Sequence, residues 1–269
     1  MMIFHFHQKK IKNINLNLKI HNTKIEQVKE FCFLGVVFDE CITWKSHVQK
    51  VSSKISVVVG TLTRLKRFLP QNILKMIYNA LILPHINYGL LLWGKNFRRI
   101  FKLQKWAVRA ITCSKFNAHT EPIFFKLKLL KIESIRKIAL LKFFHRYTNG
   151  SLPDYFENFF EQEFLTHNYD TRHKNEPMPP ALIKESTKDC LRYHLPNEIK
   201  NIPSTLLSDI STSKLPNFAK NAKTHFLSTY NFVCSDPLCW PCQDHNAIST
   251  LKILLFYDLK KFPFDCFRP

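Results

Sequence analysis

From residue 48 onward the apolar positions fall at helical spacing. Val48, Val51, Ile55, Val58, Leu62, Leu65 and Leu69 alternate in steps of three and four, the stripe of an amphipathic helix. Thr43 or Ser46 is placed to cap its start, and Pro70 stops it. The pattern predicts a second helix from about Asn72 to Leu83, ended by Pro84, and a short third one past Tyr88 and Trp93, closed by Gly94. In a fourth, from about Phe97 to Thr112, Ile100, Leu103, Ala107, Val108 and Ile111 share one face. Two more patterns run near Pro122 to Leu130 and Ser134 to Tyr147, and a later one from Phe218 to Tyr230. Ahead of all these, Ile3 to Phe6, Leu16 to Ile20, and Phe31, Phe33 and Val37 around Gly35 alternate loosely as short strands. Such strands are marginal alone, so the first forty residues read as the end of something larger.

The fold class this implies is mainly α with a small β remnant (α+β): an antiparallel helical bundle, then an irregular, mostly helical C-terminal domain. Gly150, Ser151 and Pro153 mark the break between them. The divisions are residues 1–42, 43–150, 151–233 and a Cys-containing tail, 234–269. No repeat or low-complexity tract is present.

Charge sharpens this division. Of the 269 residues, 1–150 carry 27 basic and 6 acidic side chains, whereas 151–269 carry 13 and 14. From Cys41 to Thr120 there are fourteen Lys and Arg and no Asp or Glu. Packed helices with uncompensated positive charge between their apolar stripes suit a polyanion, with nucleic acid first among them. Five glycines in no fingerprint spacing exclude a Gly-rich nucleotide cradle. The apolar start is too short for a signal peptide, and eight cysteines are too sparse for a small secreted scaffold. An intracellular protein with reduced thiols, in nucleus or cytoplasm, is expected. Between Ile73 and Trp93, Asn79, Pro84, His85 and Asn87 interrupt the apolar run before about 18 clean residues accumulate, so no transmembrane segment or membrane partner is expected.

The candidate contacts are Arg98, Lys102, Lys105 and Arg109, predicted on one outward stripe of the fourth helix, with Lys54, Arg64, Lys66 and Arg67 on the first. A solvated helix face normally has acidic partners at i, i+4; here none exists, which favours phosphate contact. Trp44, Tyr78, Tyr88, Trp93 and Trp106 are assigned to packing, and His47, His85 and His119 to structural hydrogen bonds, with no catalytic residue proposed. Cys234, Cys239, Cys242 and His245 have soft donors, but their spacing matches no common zinc finger, so no metal is assigned and reduced, partly buried thiols are expected.

Several short motifs also occur in order: Met2-Ile3-Phe4, Phe33-Leu34-Gly35-Val36, then Asp39, Trp44 and His47. They continue with Tyr78-Asn79-Ala80-Leu81-Ile82, Pro84-His85-Ile86-Asn87-Tyr88-Gly89, Trp93-Gly94, Leu103-Gln104-Lys105 and Arg109-Ala110-Ile111. His119-Thr120-Glu121-Pro122, His167-Asn168-Tyr169-Asp170-Thr171-Arg172, Leu195-Pro196 and the Phe218 to Tyr230 piece complete the series. In this order and spacing, over residues 1 to 232, they resemble the C-terminal part of the reverse transcriptase of non-LTR (LINE-like, Jockey-type) retrotransposons: primer grip, thumb and C-terminal region.

The resemblance implies that Phe33, Leu34 and Gly35 form a primer-grip turn, where residues alone read as an ordinary strand and turn. It implies a thumb-like role for residues 43–150, holding RNA, DNA or a hybrid by its phosphate backbone. In that family, paired aspartates hold two magnesium ions. No Asp-Asp occurs here, and palm and fingers are missing, so the resemblance implies binding without polymerase chemistry and no cofactor in this chain. The alternative is a non-enzymatic helical nucleic-acid-binding or decayed transposon-derived protein.

Overall fold

The computed structural model describes residues 1–5, 18–157 and 191–230. The strands come first. β1 (Lys19–Ile20) pairs antiparallel with β2 (Thr23–Lys24), and β3 (Glu30–Phe33) with β4 (Val36–Asp39), Phe33 facing Val36 across a two-residue turn. The helices of the first part are α1 (Lys45–Leu65), α2 (Gln71–Leu81), α3 (Leu83–Asn87), α4 (Leu90–Trp93), α5 (Arg98–Ile111), α6 (Glu121–Lys126) and α7 (Ile132–Thr148). Later come α8 (Leu191–Lys200), α9 (Ser204–Thr212) and α10 (Leu215–Ser228). The chain is mainly α with two small antiparallel sheets.

Residues 1–5 do not form the expected strand; isolated backbone bonds tether them instead. The Met1 amino group donates to the Glu26 carbonyl (2.6 Å), Val28 N–H to Met1 (2.9 Å) and His5 N–H to Glu40 (2.9 Å).

α1 buries Val48, Val51, Ile55, Val59 and Leu62, so Val59 replaces the expected Val58. A straight helix at 3.6 residues per turn drifts away from a strict three-four alternation, and the stripe moves with it. Neither Thr43 nor Ser46 caps it. Trp44 stands at the N-cap with φ 63°, and the Asp39 carboxylate, five residues upstream, accepts from the N–H groups of Cys41 (3.1 Å), Thr43 (2.8 Å) and Trp44 (2.8 Å). Pro84 does not end a helix either; it sits in the first turn of α3, where a missing N–H costs nothing. Gly94 continues a helical turn, and its lack of a side chain makes room: a Cβ there would stand 3.0 Å from Arg136 Cδ.

One apolar core joins α1 to α6 and the start of α7, with Ile55, Leu62, Tyr78, Trp93, Ile100 and Phe124 fully buried. Gln104 lies inside it. Its Nε2 donates to the Tyr78 hydroxyl (2.8 Å) and the Leu130 carbonyl (2.9 Å), and its Oε1 accepts from Ile132 N–H (3.0 Å). Burial pushes the Tyr78 hydroxyl up to about 12.

A second core gathers Leu140, Leu141 and Phe144 of α7 with Leu195, Ile199, Ile210 and Phe218. α7 therefore belongs to both, and apolar contacts run across Gly150. A polar clasp adds to this link: Lys131 N–H donates to the Tyr230 hydroxyl (2.8 Å), which donates to Ser134 Oγ (3.1 Å). In this second part, α8 passes through Pro196, in the stretch expected to be irregular.

Candidate nucleic-acid interface

The turn between β3 and β4 consists of Leu34 (φ 45°) and Gly35 (φ 81°), the left-handed pair that a two-residue hairpin requires. Phe33 and Leu34 are exposed, Leu34 by 74%. Tyr88, between α3 and α4, braces the turn by donating its hydroxyl to the Leu34 carbonyl. A Cβ on Gly35 would stand 3.6 Å from the Tyr88 ring. The hairpin is thus held against the helices with its tip outward.

Its support is a tight cluster of motif residues. Trp93, fully buried, donates from Nε1 to the Tyr88 carbonyl (2.8 Å). His47 packs beside it, ring centroids 5.7 Å apart, and accepts Val37 N–H at Nδ1 (3.2 Å). Burial first, then the ammonium groups of Lys50 and Lys54, hold His47 below the usual histidine range. Nδ1 being an acceptor, Nε2 carries the proton, and this buried donor has no partner.

A small hollow of about 70 Å³ opens here, lined by Gly35, His47, Lys50, Lys54, His85 and Tyr88. On the other flank of α1 a groove of about 360 Å³ runs along α5, lined by Ser52, Ser53, Ser56, Arg99, Lys102 and Trp106. Ser52, 1% exposed, has a hydroxyl with no partner. No acidic residue lines either hollow. Each therefore combines lysine or arginine with a buried polar group from α1 that protein does not satisfy, an orphan that costs about 1–3 kcal/mol when left dry.

Of the predicted contacts, the structure gathers Gly35 and Lys54 at the hollow beside the exposed tip formed by Phe33 and Leu34, and Lys102 at the groove. Arg98 is exposed at the start of α5; Arg64 and Arg67 are exposed at the far end of α1, and Lys66 is half-buried there. Among the described residues, no carboxylate lies within ion-pair distance of Lys54, Arg64, Lys66, Arg67, Arg98 or Lys102.

The stripe on α5 needs correction. Lys105 and Arg109 are half-buried and turned toward the segment that follows: Arg109 Nε donates to the Ala118 carbonyl (2.9 Å), and Lys105 Nζ lies 4.4 Å from the Phe101 ring centre. Burial is the main cause that lowers both from their usual values. The reason is Gln104. Absent from the predicted apolar face, it is core, so the buried face is wider and the outward face runs through Arg99, Lys102 and Trp106. Trp106 (45%) and Tyr88 (55%) are accordingly exposed, not packed as expected. Arg99, Lys50, Ser52 and Trp106 line the hollows and were missed by sequence reasoning; recognising Gln104 as buried is the signal that finds Arg99 and Trp106.

The tail candidates Cys234, Cys239, Cys242 and His245, and the motif from His167 to Arg172, lie outside the described residues. Among the described residues no helix is long and apolar enough to cross a membrane. One group of three, His5, Glu40 and Cys41, offers metal-ligating atoms, and its thiol and single carboxylate are not the paired carboxylates of magnesium chemistry. Compared with known proteins, the chain matches no family model, no curated protein and no solved structure.

Proposed function

We propose that this chain holds a nucleic-acid duplex by its sugar-phosphate backbone, as the primer grip, thumb and C-terminal region of a non-LTR retrotransposon reverse transcriptase, and performs no nucleotidyl transfer itself. One observation carries the reading: an acid-free surface in which two basic hollows flank α1, each with an unsatisfied buried polar group, next to an outward hairpin tip. Lys54, Lys50, Arg99 and Lys102 supply point charges and forks for phosphate oxygens. Trp106 offers a flat apolar face for a sugar or an unpaired base. Phosphate contacts position a duplex without selecting its sequence. The order of the motifs supports the retrotransposon assignment, since Asp39, Trp44, His47, Tyr88 and Trp93 meet where the hairpin docks on the helices.

The test is equilibrium binding of the full chain to an RNA–DNA hybrid across a salt series. Contact with about four phosphates gives a log-log slope of roughly −3 to −4. A flat salt dependence overturns the reading. Primer extension with magnesium and deoxynucleotides should yield no product, and incorporation would refute the non-catalytic half.

A further inference from the structure

Away from this surface, the first residues of the chain meet the end of β4. His5 is carried by a segment whose N–H bonds to the Glu40 carbonyl (2.9 Å), and Glu40 N–H bonds in turn to the Lys29 carbonyl (3.0 Å). Cys41 N–H is held by the Asp39 carboxylate (3.1 Å). The backbone is therefore pinned on both sides, and three side chains of different chemistry converge. Cys41 Sγ lies 3.8 Å from His5 Nε2, and that nitrogen lies 3.8 Å from Glu40 Oε2. All three ligand atoms fall within 4.8 Å of one another.

We infer that His5, Glu40 and Cys41 bind a zinc-type transition-metal ion, with water in the fourth position, and that the ion staples the N-terminal segment to the start of α1. In a tetrahedral site with bonds of about 2.3 Å to sulfur and about 2.0–2.2 Å to nitrogen and oxygen, the ligand atoms stand roughly 3.3–3.6 Å apart. The two separations from His5 Nε2 come within about half an ångström of that and the sulfur–carboxylate pair lies within 4.8 Å, a change that rotation of three side chains covers. The donor set decides the metal: thiolate with imidazole selects zinc or cobalt, while magnesium and calcium require oxygen ligands. The His5 and Glu40 side chains remain 22% and 36% exposed, so a water can complete the sphere and the ion has an entry path. On binding, the Cys41 S–H bond breaks, the sulfur pair forms the metal bond and the proton leaves to solvent; no redox step is involved.

The site differs from the tail cysteines, and the experiment separates the two. Full-length chain, reduced and dialysed against a weak chelator, is titrated with Co²⁺ and followed by thiolate-to-metal charge-transfer absorption, then by zinc content. The expected result is a cobalt band that survives serine substitution of Cys234, Cys239, Cys242 and Cys266 together. Cys41→Ser should abolish the band, and His5→Ala should weaken affinity at least tenfold. Thermal unfolding with added zinc should rise in the parent chain and stay unchanged in Cys41→Ser. Should Cys41→Ser fail to fold, His5→Ala, on a segment outside both apolar cores, carries the same test. A zinc ratio near zero with no cobalt band, or a band unmoved by Cys41→Ser or His5→Ala, overturns the proposal.

Discussion

The charged residues of α7 and those beside α1 are used in opposite ways. On α7, cations meet acids: Arg136 pairs with Glu198 (3.2 Å), and Lys137 lies 3.5 Å from Glu133 and 3.8 Å from Glu198. His145 is bonded as well, its Nε2 lying 2.8 Å from the Ser213 carbonyl, although Arg136 Nε is a buried donor left unsatisfied. Around α1, the basic residues at the hollows face no acid, and His47 and Ser52 keep unsatisfied polar atoms. A cation paired inside the protein is committed to holding helices together. One without a counter-ion remains available to a ligand, and this contrast, more than the total charge, picks out the candidate surface.

The largest effect expected comes from breaking either core at a fully buried aromatic. Trp93→Ala and Phe218→Ala should each destabilise by about 3–5 kcal/mol in urea unfolding. They differ in binding: below the unfolding transition, Phe218→Ala keeps its affinity for a duplex, whereas Trp93→Ala loses it, because Trp93 supports His47 and Tyr88 under the hairpin. Equal losses from both would dissolve the contrast.

Alkaline titration probes the first core by a smaller amount. Tyr78 has its folded value raised from 10 to about 12, so its stabilisation is intact below pH 10 and is lost as pH climbs through 12. Two units correspond to roughly 2–3 kcal/mol. Tyr78→Phe, with no proton to lose, should show a shallower decline in stability from pH 10 to 12; parallel curves would contradict the assignment.

Smaller still is charge reversal on the surface. Arg99→Glu with Lys102→Glu should weaken hybrid binding about tenfold to a hundredfold and flatten the salt slope by about 2. Lys137→Glu, reversing a paired cation in the second region, should change affinity by less than about threefold.

Much of this was legible in sequence where one apolar stripe decided the outcome. The five predicted apolar positions of α5 are all buried, and α7 and α10 fall within a few residues of their expected bounds. What sequence hid was mostly polar chemistry acting at a distance. Asp39 holds the three backbone N–H groups of Cys41, Thr43 and Trp44 that lead into α1, from outside the usual cap position. Gln104 is core only because Tyr78, Leu130 and Ile132 arrive from elsewhere to satisfy it, and the miscounted face displaced half of the basic stripe. His5 and Cys41 are 36 positions apart, and their meeting depends on how the first segment lies against Glu40. The hairpin was legible in its own pattern, the alternation of Phe31, Phe33 and Val37 around Gly35.

The Tyr230 clasp fixes an order of events. Lys131 and Tyr230 are 99 positions apart, so among the described residues this contact is one of the most non-local, while α1 and α5 meet over about half that separation, as Gln49 and Arg99 do at 50 positions. Non-local closure comes slowly, after local contacts have formed. During synthesis the cationic half therefore acquires its shape first, while Leu140, Leu141 and Phe144 still await their partners. Until residue 230 leaves the ribosome, that exposed apolar strip is where the nascent protein is vulnerable to misassembly.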